Sequence, residues 1–400
     1  MLDYPCPKLT IDPLPSYLNL GGGPANITQD VAKALTTQPY TASNPSLHKL
    51  MDDILPMIRY VYQTENPVSF ILQTSGNGGN EAMVTNLADP GETVVIAVSG
   101  LWGSKVVDMA KRYNLNVVEL RSEPGEVFTF EELEEAIVKN KAVALFVTHG
   151  ETSSGTLQPL DGLGKICHKH NCLLSVDAVV SLGVAPIYVD RWEIDAINGG
   201  TQKGLSAPAG MCLLSFSPRA YKKILSKKHP PPYIFDVQMH VKVWDCLGAG
   251  GKGYIYTYSS NMLGAVREAL IAICKEGIDN VWDRHQKSAN ILVSRCKNEL
   301  GLEHYIKRPE IRFSGVTFLK VPENLSWRMI FSYILEKHQA EISFGIGPTI
   351  NQVLRLGLLG INATPKMANY VVELLREAIE YCKNNPHIDD GFGSFNPPTE

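Results

Sequence analysis

The sequence predicts an α/β protein with a mostly parallel central sheet in a large domain and a smaller α/β domain toward the C-terminus. Two patterns support this prediction. Short apolar runs rich in β-branched residues alternate with amphipathic stretches, and after about residue 255 the pattern changes to long helices. The length of 400 residues is sufficient for two or three domains with ample core.

Strand-sized and helix-sized segments alternate through the first half of the chain. The predicted strands are 68–72, 93–98, 116–120, 142–147, 172–176, 192–197 and 211–216, and the predicted helices are 81–87, 104–113, 130–139 and 160–170. Thr129, followed by Glu131 and Glu132, is typical of a helix start, because threonine caps free amides and acids favour the first turn. Parallel strands that alternate with helices bind ligands at their carboxyl ends, so chemical residues are expected at that edge.

The C-terminal part predicts a smaller domain. Its expected elements are helices 260–275 and 280–300, strands 316–319 and 353–359, and a final helix 365–382. The predicted organisation is an N-terminal segment 1–20 that packs on the small domain or on a partner subunit, a large domain 21–278, a small domain 279–385 and a disordered tail 386–400.

The composition excludes several classes of function. The formal net charge is -4, and no basic stripe suggests a nucleic-acid partner. The longest apolar runs are strand-sized, so no membrane partner is expected. The N-terminus resembles neither a secretory nor a mitochondrial leader, and the C-terminus lacks a peroxisomal signal, so the cytoplasm is the default expectation.

The eight cysteines include no CxxC pair and are expected to be reduced. Cys167 and Cys172 flank His168 and His170, a grouping that suggests a metal site. The surrounding sequence is more typical of a helix that runs into a strand, so no metal is expected.

A glycine-rich run, residues 73–83, follows one predicted strand and leads into a helix. Glycines allow the backbone to approach an anion, and a helix start presents free amides. The run is neither a Walker loop nor GxGxxG. A plain turn between strand and helix explains it equally well when it is considered alone.

Three further residues follow strands. Asp177 ends an apolar strand and needs a cationic partner if buried, although it also suits a helix cap. Lys203 lies in an uncharged loop of Gly, Thr and Gln, where desolvation would lower its pKa, although a surface lysine fits the same context. Trp102 offers a flat indole for stacking, but a lone tryptophan is more often part of the core.

Taken together and in order, these segments resemble the class V pyridoxal-phosphate-dependent aminotransferases, specifically the alanine-glyoxylate and serine-pyruvate group and the insect 3-hydroxykynurenine transaminases. The matching segments span nearly the whole chain and are 62–67, 100–103, 148–160, 172–179, the Lys203 loop and 353–360. The resemblance implies the fold of type I pyridoxal-phosphate enzymes, with pyridoxal 5′-phosphate held by the large domain.

The resemblance also implies how the cofactor's phosphate is held. Ser75, Gly76 and Asn77 would bind it, with Gln202 beside them. A neighbouring subunit of a homodimer with shared sites would contribute two further residues, Tyr254 and Thr257.

The cofactor ring would meet a second set of residues. Trp102 would stack on one face of the ring and Val179 would press on the other, while Thr152 would hydrogen-bond near its polar edge. Asp177 would pair with the ring nitrogen. Lys203 would hold the cofactor as a Schiff base and act as the general base of the reaction.

Substrate binding is implied for residues from separate parts of the chain. Arg355 would clamp the α-carboxylate with its guanidinium fork. Gly23 belongs to a segment that lines the substrate in the family, where Gly-Pro-Gly-Pro is usual and Gly21-Gly22-Gly23-Pro24 stands here. Ser43 and Asn44 resemble a pair in the kynurenine-using branch.

Two other departures leave the cofactor lysine, aspartate and arginine intact. Asn77 and the pair Gly78-Gly79 replace bulkier residues in the glycine loop, and Ile255-Tyr256 replaces a usual His-His pair. The shape of the substrate site, rather than the chemistry, is what these departures put in question.

The activity implied is transfer of an amino group from alanine or serine to a 2-oxo acid such as glyoxylate or pyruvate. A kynurenine or 3-hydroxykynurenine donor is the alternative within transamination. A lyase or desulfurase uses the same fold, but no cysteine suits sulfur chemistry, and a non-catalytic protein would be expected to lack the lysine, aspartate or arginine. The resemblance also suggests a peroxisomal location as an alternative to the cytoplasm.

Overall fold

The computed structural model describes residues 13–385, so the predictions for 1–12 and for the tail 386–400 lie outside the described residues. The strands are β1 Leu18–Asn19, β2 Val68–Leu72, β3 Thr93–Val98, β4 Asn116–Arg121, β5 Ala144–Thr148, β6 Gly150–Glu151, β7 Thr156–Leu157, β8 Leu173–Asp177, β9 Ala196–Gly200, β10 Cys212–Phe216, β11 Val316–Lys320, β12 Ala340–Glu341, β13 Ser343–Phe344 and β14 Val353–Gly357.

The helices surround these strands and extend the C-terminal part. They are α1 Gln29–Leu35, α2 Pro45–Tyr62, α3 Gly76–Leu87, α4 Leu101–Arg112, α5 Phe130–Asn140, α6 Leu163–Lys169, α7 Pro218–Leu225, α8 Val237–Trp244, α9 Ser260–Glu276, α10 Ile278–Leu300, α11 Trp327–His338 and α12 Pro365–Asn384.

The central sheet has seven strands in the order β2-β10-β9-β8-β5-β3-β4. All neighbouring pairs from β9 to β4 are parallel, whereas β10 is antiparallel to both β9 and β2. The predicted α/β class with a mostly parallel sheet is therefore confirmed. Because β10 reverses direction between them, β2 runs the same way as β9, so β2, β3, β5, β8 and β9 all end at one edge.

The predicted strand 192–197 is wrong at its start, since β9 begins at Ala196. Asp195 precedes the strand, and its carboxylate accepts hydrogen bonds from the Leu174 amide and the Ser217 hydroxyl. The strand then continues through Asn198 and two glycines, which have low strand propensity but pair with β8 and β10 in the centre of the sheet.

The starts of two helices also differ from the prediction. Helix α3 begins at Gly76 instead of residue 81, because Ser75 caps it and overrides the low helix propensity of the glycines. Helix α4 begins at Leu101 instead of residue 104. Helices α1, α2, α7, α8 and α11 were not predicted at all.

The C-terminal part is built on a three-stranded antiparallel sheet, β11-β14-β13, covered by α10, α11 and α12. Its apolar core is separate from the larger core under the central sheet. Strand β1 pairs in parallel with β12, so residues Leu18 and Asn19 pack on this part. The predicted domain boundaries remain predictions. Within residues 13–385, no helix combines the length and apolar character needed to cross a membrane.

Candidate active site

A cavity of about 160 Å³ lies at the carboxyl edge of the central sheet. It is lined by all nine of the residues of this chain that were predicted to meet the cofactor from within one subunit: Ser75, Gly76, Asn77, Trp102, Thr152, Asp177, Val179, Gln202 and Lys203. They lie at or shortly after the carboxyl ends of β2, β3, β5, β8 and β9. Parallel strands that end at one edge bring these loops together.

One wall of the cavity is the start of α3. Ser75 is the N-cap, and its hydroxyl accepts a hydrogen bond from the Gly78 amide at 3.2 Å. The first amides of the helix have no partner within the helix, which makes this end a binding site for an anion. A Cβ at Gly76 would lie 2.6 Å from Cγ2 of Val179, so only glycine allows the two walls to approach this closely.

Trp102 and Arg355 meet at Thr152. The indole Nε1 of Trp102 donates to the Thr152 hydroxyl at 2.7 Å. Nη1 of Arg355 donates to the carbonyl oxygen of Thr152 at 2.8 Å. A single residue therefore orients the aromatic side chain and the guanidinium.

Asp177 is a buried carboxylate with neutral donors. Oδ2 accepts from Nδ2 of Asn80 at 2.7 Å, and Oδ1 accepts from the Val179 amide at 2.9 Å. Burial raises the pKa of this carboxyl above its ordinary value, and within residues 13–385 no cationic side chain forms an ion pair with it. A buried carboxylate without a cation suits a ligand that brings a positively charged N–H, as the pyridinium of pyridoxal phosphate does.

Lys203 is half-buried and lines the same cavity. Its Nζ donates to the carbonyl oxygen of Gly22 at 2.7 Å. Burial, with a smaller contribution from the Arg355 charge, lowers the pKa of Lys203 to about 8. A much larger fraction of this amine is neutral at physiological pH than for a surface lysine, and the neutral form is the one that accepts protons and attacks carbonyl groups.

Arg355 lies on β14 and is 7% exposed. Besides the bond to Thr152, its Nε donates to the Phe344 carbonyl oxygen at 2.6 Å. A guanidinium has five N–H groups, so within residues 13–385 the second Nη1 hydrogen and both Nη2 hydrogens are left for a ligand. A Cβ at Gly22 would lie 3.2 Å from Nη1, so the backbone of the Gly21-Gly22-Gly23 segment passes close to the guanidinium.

The five remaining predicted residues lie outside this cavity. Tyr254 is exposed, and its hydroxyl forms a 3.1 Å hydrogen bond with that of Thr257. Asn44 caps α2 by accepting from the Ser46 amide, and Ser43 before it is exposed. Gly23 is half-buried, and a Cβ there would meet no atom within 4 Å.

Glu151 is a site residue that the sequence reasoning missed. It is 0% exposed and accepts hydrogen bonds from the Trp102 amide and from the amide and hydroxyl of Ser153. The Ser153 hydroxyl in turn accepts from the Leu101 amide, so the two side chains together cap α4, whose own N-cap, Gly100, has no side chain. The absence of a capping side chain at Gly100 was the one available signal in the sequence.

Glu151 is expected to make the protein less stable as pH rises toward neutrality. Burial raises its pKa from 4.5 to about 7, so the folded state binds the proton more tightly than the unfolded state does. The resulting stabilisation is complete below pH 4.5 and is lost as pH rises through about 7. It corresponds to about 3 kcal/mol.

The measurement is the free energy of unfolding against pH for the wild type and for Glu151→Gln, whose side chain does not titrate. The difference in unfolding free energy between the wild type and Glu151→Gln should change between pH 4.5 and about 7. Parallel curves would show that Glu151 does not titrate in that range.

The comparisons with known proteins agree with this geometry. Residues 24–358 match the family model described as aminotransferase class-V. The alanine–glyoxylate aminotransferase of Rattus norvegicus is 40% identical over 95% of this chain and 92% of the rat protein. That of Drosophila melanogaster is 35% identical over 96% of this chain and 98% of the fly protein.

A solved structure supports the same assignment. The crystal structure of alanine–glyoxylate aminotransferase from Nostoc sp. has a TM-score of 0.89 and 34% identity, covering 93% of this chain and 97% of that one. The predicted type I fold and the predicted family are confirmed. The chain therefore belongs to the class V aminotransferases, which use pyridoxal 5′-phosphate.

Proposed function

We propose that the protein is an alanine–glyoxylate aminotransferase, moving the amino group of alanine or serine to a 2-oxo acid such as glyoxylate or pyruvate. The observation that carries the proposal is the single cavity that Lys203 and Asp177 line, with Arg355 bonded to its Thr152 wall. Relatives named for this activity, at 35% to 40% identity over nearly the full length, support it.

The cavity residues have complementary roles in this proposal. Ser75, Gly76, Asn77 and Gln202 bind the phosphate of the cofactor, and Trp102 and Val179 enclose its ring. When bound, pyridoxal phosphate supplies an electron-poor ring that makes the Cα proton of an attached amino acid acidic.

Three side chains then act on the substrate and the ring nitrogen. Asp177, as the carboxylate, keeps the ring nitrogen protonated. Lys203 would hold the cofactor through its amine, and the neutral amine would accept the proton from the substrate Cα. Arg355 binds the α-carboxylate through its remaining N–H groups, which places the Cα–H bond in reach of Lys203.

The working unit is proposed to be a homodimer with shared sites. Tyr254 and Thr257 are exposed and lie outside the cavity of their own chain, and their hydroxyls already form a pair able to bind a phosphate. A second copy of the chain that presents this pair to the start of α3 would complete each phosphate site.

A kynurenine-type donor is the second candidate. Gly23 is the observation that favours it, because a side-chain atom placed there would meet nothing within 4 Å, which leaves open space for a larger substrate. Arg355 would bind the carboxylate of either donor.

A panel of half-reactions distinguishes these donors. The holoenzyme is mixed with alanine, serine, 3-hydroxykynurenine or aspartate, and loss of the visible absorption of the lysine-bound cofactor is followed by stopped flow. Alanine and serine should convert it fastest, and glyoxylate should restore it. A faster reaction with 3-hydroxykynurenine would favour the second candidate, and no reaction with any of the four would contradict transamination.

A further inference from the structure

A group of buried polar residues is connected to Asp177 by hydrogen bonds, and one of them, Asn80, also lines the cavity. Asn80, on α3, is 3% exposed, and Asn198 on β9 and Cys212 on β10 are both 0% exposed. Asn80 follows Gly76 by four residues, so both lie on the face of α3 that packs on the sheet. Burying amide groups is costly unless they are fully hydrogen-bonded, so their arrangement requires a reason.

The three side chains form an uninterrupted chain of hydrogen bonds to Asp177. The Cys212 thiol donates to Oδ1 of Asn198 at 2.7 Å. Nδ2 of Asn198 donates to Oδ1 of Asn80 at 2.8 Å. Nδ2 of Asn80 donates to Oδ2 of Asp177 at 2.7 Å.

The direction of this chain is determined at both ends. Nδ2 of Asn198 also donates to the carbonyl oxygen of Gly76 at 3.0 Å, and a carbonyl can only accept, so the amide of Asn198 has one allowed orientation. At the other end, an ionised Asp177 can only accept, which requires Nδ2 of Asn80 to face it. Every donor in the chain therefore points toward the carboxylate.

The backbone holds this chain of side chains in place. A Cβ at Gly79 would lie 2.3 Å from Sγ of Cys212 and 2.6 Å from Oδ1 of Asn198. The lack of a side chain at Gly79 therefore allows α3 to lie directly on Asn198 and Cys212. The close approach leaves the amides little freedom to rotate.

We propose that Asn80, Asn198 and Cys212 are positioning residues, which hold Asp177 as an ionised, fixed acceptor for the ring nitrogen of the cofactor. The proposal rests on the role proposed above for Asp177. Burial opposes the charged form of Asp177, whereas the bonds from Asn80 and Val179 favour it and lower the pKa. The titratable groups that interact with the Asp177 charge are Glu151, Tyr62 and Cys212, and Lys203 shares the cavity.

The chain of donors predicts a graded series of variants. Asn80→Leu removes the donor to Asp177 and should weaken binding of pyridoxal phosphate by about 10- to 100-fold, the effect of losing a hydrogen bond to a charged group. Cys212→Ala removes the thiol at the far end of the hydrogen-bond chain. It should weaken binding of pyridoxal phosphate by about 2- to 5-fold, since a thiol is a weak donor. Cys212→Ser keeps a donor and should bind the cofactor as the wild type does.

The experiment equilibrates the full-length holoenzyme against decreasing pyridoxal phosphate and measures the cofactor that remains bound, as a function of pH. In Asn80→Leu, the loss of affinity on the acid side should begin at a pH higher by about one unit, because protonation of Asp177 becomes easier. Asn86→Leu is the matched control. Asn86 is also buried on α3, but it bonds to Ala82, Phe235 and Val237 and not to Asp177.

Two outcomes overturn the proposal. The first is that Asn80→Leu has the same melting temperature as Asn86→Leu and binds the cofactor with the affinity and the pH dependence of the wild type. If Asn80→Leu does not fold, the Cys212 variants provide the test instead. The proposal is then overturned if Cys212→Ala and Cys212→Ser bind pyridoxal phosphate with equal affinity. Because no amino acid is present in these measurements, a wrong assignment of the amino donor leaves them unaffected.

Discussion

Replacing Lys203 with alanine should reduce kcat for transamination by at least about 10⁴-fold, since it removes both the proposed attachment point of the cofactor and the proposed general base. The visible absorption of the lysine-bound cofactor should disappear as well. The physical reason is the position of the amine: Lys203 lines the same cavity as Asp177 and Trp102, and burial lowers its pKa to about 8. Among residues 13–385, no other lysine lines that cavity.

The measurement is steady-state kinetics with alanine and glyoxylate, together with the absorption spectrum. Lys227→Ala is the control, because Lys227 is also buried but pairs with Asp89 away from the site. It should lower the melting temperature and leave the spectrum unchanged. A Lys203→Ala enzyme that retained normal turnover would contradict the assignment of the lysine.

Replacing Arg355 with alanine should raise KM for the amino acid by about 100-fold, which corresponds to the loss of a bidentate, charge-assisted pair. Arg355→Lys should recover only part of the loss, because a lysine offers a point charge without the planar fork. The guanidinium is held by the Thr152 and Phe344 carbonyl oxygens, and its unused N–H groups are already oriented when the substrate arrives. Little ordering entropy opposes binding as a result.

A second comparison separates substrate binding from a structural effect on Trp102, which Arg355 reaches through Thr152. The variants are assayed with alanine and with an amine that lacks the α-carboxylate. A loss of activity confined to alanine supports the role of Arg355 in binding the carboxylate. An equal loss of activity with both substrates would contradict that role. Arg295→Ala is the control, because Arg295 pairs with Glu299 and Glu373 on the surface of α10 and α12.

Particular elements show how far the sequence could be read. Strands β2 and β3 were predicted with their observed bounds, because each is a continuous apolar, β-branched run. Helix α2 was missed although Asn44 and Pro45 are strong start signals, since Pro56 inside it is normally a breaker. Strand β9 was misplaced because its Asn-Gly-Gly sequence owes its extended form to neighbours on both sides.

The sequence by itself determined the α/β class, the order of the central-sheet strands along the chain, and the identity of Lys203, Asp177 and Trp102 as residues at or just after the ends of strands. These features depend on local patterning, in which apolar runs end and polar residues begin. The resemblance of the sequence to the family also identified Arg355 as the residue expected to bind the carboxylate. It gave no indication of how the Arg355 side chain is oriented.

Only the tertiary structure decided which polar groups share a buried space. Residues Asn80, Asn198 and Cys212 are far apart in sequence and carry no local pattern, yet hydrogen bonds join them to Asp177. The same is true of Glu151, which caps a helix about fifty residues before it, and of Gly22, which accepts from Lys203. The physical reason is that burial and hydrogen-bond partners arise from the crossing of distant strands and helices, which no local periodicity encodes.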